Sequence, residues 1–285
     1  MPGPIQSVEF EASPGRWRFA NAPPSAEHTG VVQEYWEVEG RLSPFREKVL
    51  PNGCAELMFN LGPPHTLISE SGSSVWERSW FSGVHDRALV IESLSGTHLV
   101  SARLTPLGAV QLFGPAMAGM VNRVVDLESL AGWAATELRE SLLVAESPGA
   151  RFELLERFIR SCPERGVVVP EVVRAAVRSI ESAHGNLRVS GIHTEVGVSR
   201  KHLWMLFARE MGMSPKAYAQ IQRFVWTLAR LRESESVDWV RLANDAGYSD
   251  QSHLAREFRR IADASPTEFL RTRSPDSTAL LGDAG

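Results

Sequence analysis

The sequence is poor in cysteine and in lysine, and has no long apolar run. Two cysteines in 285 residues, Cys54 and Cys162, leave no disulfide framework and no C-x-x-C or other metal-ligand spacing. No stretch approaches the ~18 apolar residues that span a bilayer. The opening segment, MPGPIQSVEFEASPGRW, lacks the basic-then-apolar layout of a secretion signal. A reduced, cytoplasmic setting away from membranes is the expectation. Catalytic motifs are missing too: there is no phosphate-binding Gly loop, G-x-S-x-G or H-E-x-x-H. A metal-binding cupin would need H-x-H, which does not occur. The chain therefore reads as a non-enzyme with no cofactor and no metal.

What is present is ordinary in amount and uneven in distribution. Hydrophobic residues make up 43% and charged residues 22%, as in soluble globular proteins, and the length suggests two domains. Net charge is −4, yet residues 186–273 hold 14 basic against 10 acidic residues, so the acid lies elsewhere. A mildly basic module attached to an acidic one fits nucleic-acid binding by the first.

Residues 1 to about 106 alternate short β-prone segments with turn signals. The segments are 30–38, 55–61, 74–81, 87–93 and 98–104, separated by turns such as Pro51-Asn52-Gly53. A small barrel or sandwich is expected. From 107 to 162 the periodicity becomes helical, with amphipathic stretches at 126–143 and 150–162. Residues 163–170 (PERGVVVP) read as a linker, and 274–285 as a flexible tail. Trp17, Trp36, Trp76, Trp80, His65, His85 and His98 either line a pocket or fill the barrel core. Cys54 reads as an inert thiol more readily than as a reactive sensor.

The last hundred residues contain a repeat. His202, Leu203, Phe207, Ser214, Pro215 and Tyr218 precede His253, Leu254, Phe258, Ser265, Pro266 and Phe269 by a constant 51 positions. Each copy reads as helix, tight turn, helix. In the first, 189–196 is a short helix, Gly197 the left-handed turn, and Ser199 the cap of 200–211. In the second, 239–246 leads to Gly247, and Asp250 caps 251–262. Leu203, Leu206 and Phe207, then Leu254, Phe258 and Ile261, form the buried stripes. His202 and His253 sit beside these leucines and read as packing or capping residues. Supporting helices are expected at 170–183, from Ser214-Pro215 to about Leu231, and from the capping box Ser265-Pro266-Thr267-Glu268. The connecting helix of 18–20 residues would set the two units about one DNA turn apart.

Residues 170–273 resemble the DNA-binding domain of the AraC/XylS family of transcription regulators. The repeat carries the resemblance, above all GYSDQSHLAREFRRIADASPTEFLR at 247–271. It implies an α+β protein: an N-terminal β-barrel-like domain with trailing helices (1–165), then an all-α domain of two helix-turn-helix units joined by a long helix. It implies double-stranded DNA as partner, with RNA polymerase, a small-molecule effector and a second copy of the chain as further partners. By position it places Arg200, Lys201, Trp204, Met205 and Arg209 on DNA from the first unit. From the second it places Gln251, Ser252, Arg256 and Arg260. The family usually has a basic residue where this chain has Met205, so the first helix is expected to read bases partly by apolar contact.

The N-terminal segment resembles a poorly characterised module that often precedes such domains, through residues 51–62, 101–114 and 122–132. This implies a sensor-like part and names no ligand. Two roles stay open for it: binding a small molecule, or only oligomerising or meeting a partner protein. An alkyl-transfer repair function would need a four-cysteine zinc cluster, which two cysteines cannot supply.

Overall fold

Ten strands come first: β1 (Gln6–Ala12), β2 (Gly15–Ala22), β3 (Val32–Leu42), β4 (Phe45–Val49), β5 (Ala55–Asn60), β6 (His65–Ser69), β7 (Gly72–Trp76), β8 (Ser79–Ser82), β9 (Leu89–Ser93) and β10 (Thr97–Leu104). The computed structural model describes residues 1–13, 15–69, 72–162, 168–187, 189–233, 236–273 and 279–282. Then follow α1 (Pro106–Phe113), a 3₁₀ segment (Gly114–Gly119), β11 (Val124–Asp126), α2 (Glu128–Ala131), α3 (Trp133–Val144) and α4 (Pro148–Ser161). The C-terminal part comprises α5 (Glu171–Ser182), α6 (Val189–Glu195), α7 (Arg200–Met211), α8 (Pro215–Glu233), α9 (Trp239–Asp245), α10 (Gln251–Ala262), α11 (Pro266–Thr272) and β12 (Ala279–Gly282).

The strands form two antiparallel sheets, ordered β1-β2-β3-β10-β5-β8-β11 and β12-β4-β9-β6-β7. Side chains of both sheets meet across one cavity. The inner strand β3 is covered on both faces, which blurs its alternation in the sequence. Tyr35 stacks on Phe152 of α4 at 6.1 Å and Glu37 faces Arg151, while Trp36 and Val38 point into the cavity.

Four local readings change. The segment 74–81 splits into β7 and β8. The helix expected over 126–143 breaks at Gly132, whose φ of +64° ends α2 before α3 begins. A strand, β11, lies inside the span expected to be helical and pairs with β8. Within the expected tail, Ala279–Gly282 instead pairs with β4, Ala279 opposite Val49 and Gly282 opposite Arg46. Residues 274–278 and 283–285 of that tail, and 163–167 of the expected linker, lie outside the described residues.

The core is continuous from Ala20 in β2 to Ile221 in α8, so the first helix-turn-helix unit shares apolar packing with the N-terminal part. A second cluster gathers the second unit around Phe224, Phe258 and Phe269, joined by Leu50 from beyond β4.

Candidate nucleic-acid interface and adjoining cavity

The two units repeat each other in atomic detail. The Ser199 side chain accepts a hydrogen bond from the His202 N–H at 3.2 Å, and Asp250 accepts one from the His253 N–H at 2.7 Å. The His253 N–H and the Ser249 hydroxyl hold the Asp250 carboxyl below its usual range. Gly197 and Gly247 take φ of +70° and +77°, the left-handed turn the sequence requires. Ser265 and Glu268 complete the capping box that opens α11.

Leu203, Leu206 and Phe207 on α7 are buried, as are Leu254, Phe258 and Ile261 on α10. The opposite faces are open. Arg200, Lys201, Trp204, Met205 and Arg209 are exposed on α7, and Gln251, Ser252, Arg256 and Arg260 on α10. Trp204 is 58% and Met205 50% exposed, side by side on the outer face of α7. Among the described residues no ion pair engages Arg200, Lys201, Arg256 or Arg260. Arg209 is different: its guanidinium pairs with Glu210 at 2.5 Å. His202 is exposed and does not pack. His253 accepts a hydrogen bond from the Ser249 N–H at 3.3 Å, the capping role read for it.

Residues not singled out from the sequence lock the units together. Arg223 of α8 donates to the Gly185 and Gly247 carbonyls at 3.2 and 3.4 Å, and its guanidinium lies 5.2 Å above the Tyr248 ring. Asn186 donates to the Asp245 carbonyl at 3.2 Å. A Cβ on Gly247 would sit 1.9 Å from Asn186 Oδ1, so a larger residue would have to displace that side chain as well as hold φ +77°. The two reading helices flank α8, whose 19 residues extend about 28 Å.

The same units are bolted to the β-rich part. Gly212, which caps α7 at φ +69°, approaches the Ala118 carbonyl so closely that a Cβ would lie 2.3 Å from it. The Ala88 N–H donates to the Ile261 carbonyl at 2.7 Å, and Lys48 pairs with Asp263 at 2.6 Å. Between sheets and helices lies a cavity of about 270 Å³. Its walls carry Trp17, Phe19, Trp36, Trp76 and Trp80, and α8 contributes Val225, Leu228 and Arg232. His65 and His85 line it as well, and burial pushes each imidazole down to about 4. Cys54 also faces the cavity. Burial pushes its thiol up to about 12, and its Sγ lies 2.7 Å from Gln33 Oε1, so it is a neutral hydrogen-bonding thiol. His98 is elsewhere, 3.3 Å from Glu37. Glu37, Glu39 and His98 converge, but Arg18 at 2.8 Å from Glu39 and Arg151 at 3.3 Å from Glu37 make this an ion-pair cluster.

Two helix-turn-helix units of this geometry on one connecting helix define a double-headed DNA-reading domain. Residues 192–272 match a family model described as a helix-turn-helix domain, and residues 20–126 match one described as a domain of unknown function. The Msm operon regulatory protein of Streptococcus mutans is 24% identical over 154 residues, 53% of this chain and 55% of that relative. The chain thus aligns with about half the length of that curated relative. ToxT from Vibrio cholerae has the same fold, with a TM-score of 0.50 at 12% identity over 83% of this chain and 98% of that one. A form of ToxT with bound unsaturated fatty acid aligns at a TM-score of 0.43 and 11% identity over 84% of this chain and 94% of that one. Residues 192–272 thus form a helix-turn-helix domain similar to those of AraC-type regulators.

Proposed function

We propose that the chain is a sequence-specific transcription regulator that grips double-stranded DNA with α7 and α10 and answers to a small molecule held in the cavity. One observation carries the reading. Both helices bury one face completely and present repeat-matched outer faces bearing Arg200, Lys201, Arg256 and Arg260. Arg256 has the donor fork to address guanine O6 and N7, whereas its repeat partner Met205 offers only apolar contact, for example with a thymine methyl. Trp204 extends the apolar element of the first reader. Arg209, tied to Glu210, supports the helix and reaches phosphate.

The cavity supplies the control. Val225 and Leu228 belong to the helix that spaces the readers, so an occupant touching them acts on reader geometry with no further relay. A second copy of the chain is a further partner, favoured by α3, where Trp133 is 75% exposed and Val144 lies exposed on the same face. No helix among the described residues is long and apolar enough to cross a membrane, and we place the protein in the cytoplasm with its DNA.

Retardation of duplex DNA from the region upstream of its own gene tests the reading. The full chain should retard it at 50 mM salt, with affinity falling by orders of magnitude at 200 mM as phosphate contacts are lost. A folded, soluble chain that retards no such DNA at low salt refutes it.

A further inference from the structure

We propose that the cavity takes a neutral, planar aromatic molecule of about two fused rings with a hydroxyl or carbonyl group, recognised by His65 and His85. This rests on the reading that the cavity holds a small molecule, and it adds the class. Three features of the cavity converge on it.

The first is shape. Six phenylalanine and tryptophan rings, Phe45 among them, line the walls, with Phe19 and Trp36 stacked at 6.1 Å and Trp76 and Trp80 tilted at 6.0 Å. Flat faces of this kind favour a flat, π-rich occupant over a flexible chain, which loses more rotational freedom on binding. The second is size. An apolar cavity of ~150 Å³ admits benzene. The volume of about 270 Å³ here matches two fused rings.

The third is polarity. His65 and His85 are 4% and 8% exposed, and His65 Nε2 and His85 Nδ1 find no hydrogen-bond partner among the described residues. Buried polar groups are almost always partnered, and an orphaned pair lining one cavity marks where a ligand bonds. Burial keeps both rings neutral at pH 7, so each offers a single donor or acceptor and no charge. The largely buried charged groups of the lining, Arg103 and Glu56, are already engaged. Arg103 is shared by Glu34 and Glu56, and Glu56 also accepts from Trp36, Asn52 and Ser101. His85 Nε2 meets Ser82 Oγ at 3.0 Å. A carboxylate ligand would meet Arg103 already neutralised by two acidic groups, while the other lining guanidinium, Arg232 of α8, lies exposed at the wall.

The test uses the full chain, tryptophan fluorescence and calorimetry, with 2-naphthol, naphthalene, 2-naphthoate and oleate as probes at pH 7. We expect saturable binding of 2-naphthol, about tenfold or more tighter than 2-naphthoate or oleate. His65→Phe with His85→Phe should weaken 2-naphthol about tenfold, the worth of one neutral hydrogen bond, and leave naphthalene unchanged. Thermal unfolding verifies that the variant folds, and His85→Gln alone, which keeps a hydrogen-bonding group, should retain most of the affinity. Tighter binding of 2-naphthoate or oleate, no saturable 2-naphthol binding, or equal losses for 2-naphthol and naphthalene would overturn the assignment. If 2-naphthol binds as stated and DNA retardation does not change, the ligand class stands and the regulatory reading of the cavity falls.

Discussion

Replacing Arg256 by alanine removes a side chain that is exposed on α10 and forms no ion pair with a described residue, so the domain should fold as before. Its effect should fall on DNA alone. Loss of a bidentate contact to one guanine costs about 1–3 kcal/mol, which is about 5- to 150-fold in affinity, and relaxes preference at one base pair. Met205, its counterpart on α7, is half exposed. Covering a further ~30–40 Å² of its apolar surface at ~25 cal/mol per Å² is worth about 1 kcal/mol at most. Met205→Ala should therefore lose about fivefold or less and leave the salt dependence intact, since no phosphate charge is involved. Met205→Arg should raise general affinity and shift preference toward guanine. Binding titrations of the three variants against a randomised-site library measure all of this. Equal losses for Arg256→Ala and Met205→Ala would refute the unequal roles, and an unchanged affinity for Arg256→Ala would remove base reading from the second unit.

Three further perturbations address the frame that holds the readers. His65 and His85 ionise near 6.5 when unfolded and are pushed to about 4 when buried, so the unfolded chain binds more protons between these values. Their contribution is complete above about pH 6.5 and is lost toward pH 4, at up to about 1.4 kcal/mol per pH unit for each. Urea midpoints across this window should fall less steeply for the double phenylalanine variant, and identical slopes would contradict the burial. Gly247→Ala combines a left-handed backbone with a collision on Asn186 and should cost about 2–3 kcal/mol in denaturant unfolding. Asn186→Gly in the same chain should recover part of that loss, and a cost for Gly247→Ala well under 1 kcal/mol would deny the close approach. Trp133→Glu leaves an exposed site exposed, so it should spare the fold and convert any dimer to monomer in sedimentation. An unchanged oligomeric state would exclude α3 as the contact.

Helix-turn-helix elements were legible because their signals are local. A cap such as Ser199 or Asp250, a left-handed glycine and a stripe at three- and four-residue spacing lie within a dozen positions of one another. The 51-residue repeat then confirmed each copy by the other. Strands were harder. β1 alternates Val8, Phe10 and Ala12 with Ser7, Glu9 and Glu11 but is almost wholly exposed, and β3 is covered on both faces, which blurs its alternation. The cavity had no local signature at all, since Trp17, Trp36, Trp76 and Trp80 come from four different strands and meet only after two sheets close. Whether such tryptophans line a pocket or fill a core depends on the sheet pairing. Arg223 was hidden for a similar reason, because its acceptors are backbone carbonyls 24 and 38 positions away. β12 eluded the sequence because it adds to an edge supplied by β4, some 230 residues earlier.

With α8 as spacer, α7 and α10 should enter neighbouring major-groove segments on one face of one duplex. Hydroxyl-radical footprinting of the full chain on its upstream DNA measures this directly. Two protected patches about 10 base pairs apart on the same face are expected. A single patch, two patches offset by about half a turn, or no protection at all would contradict this arrangement.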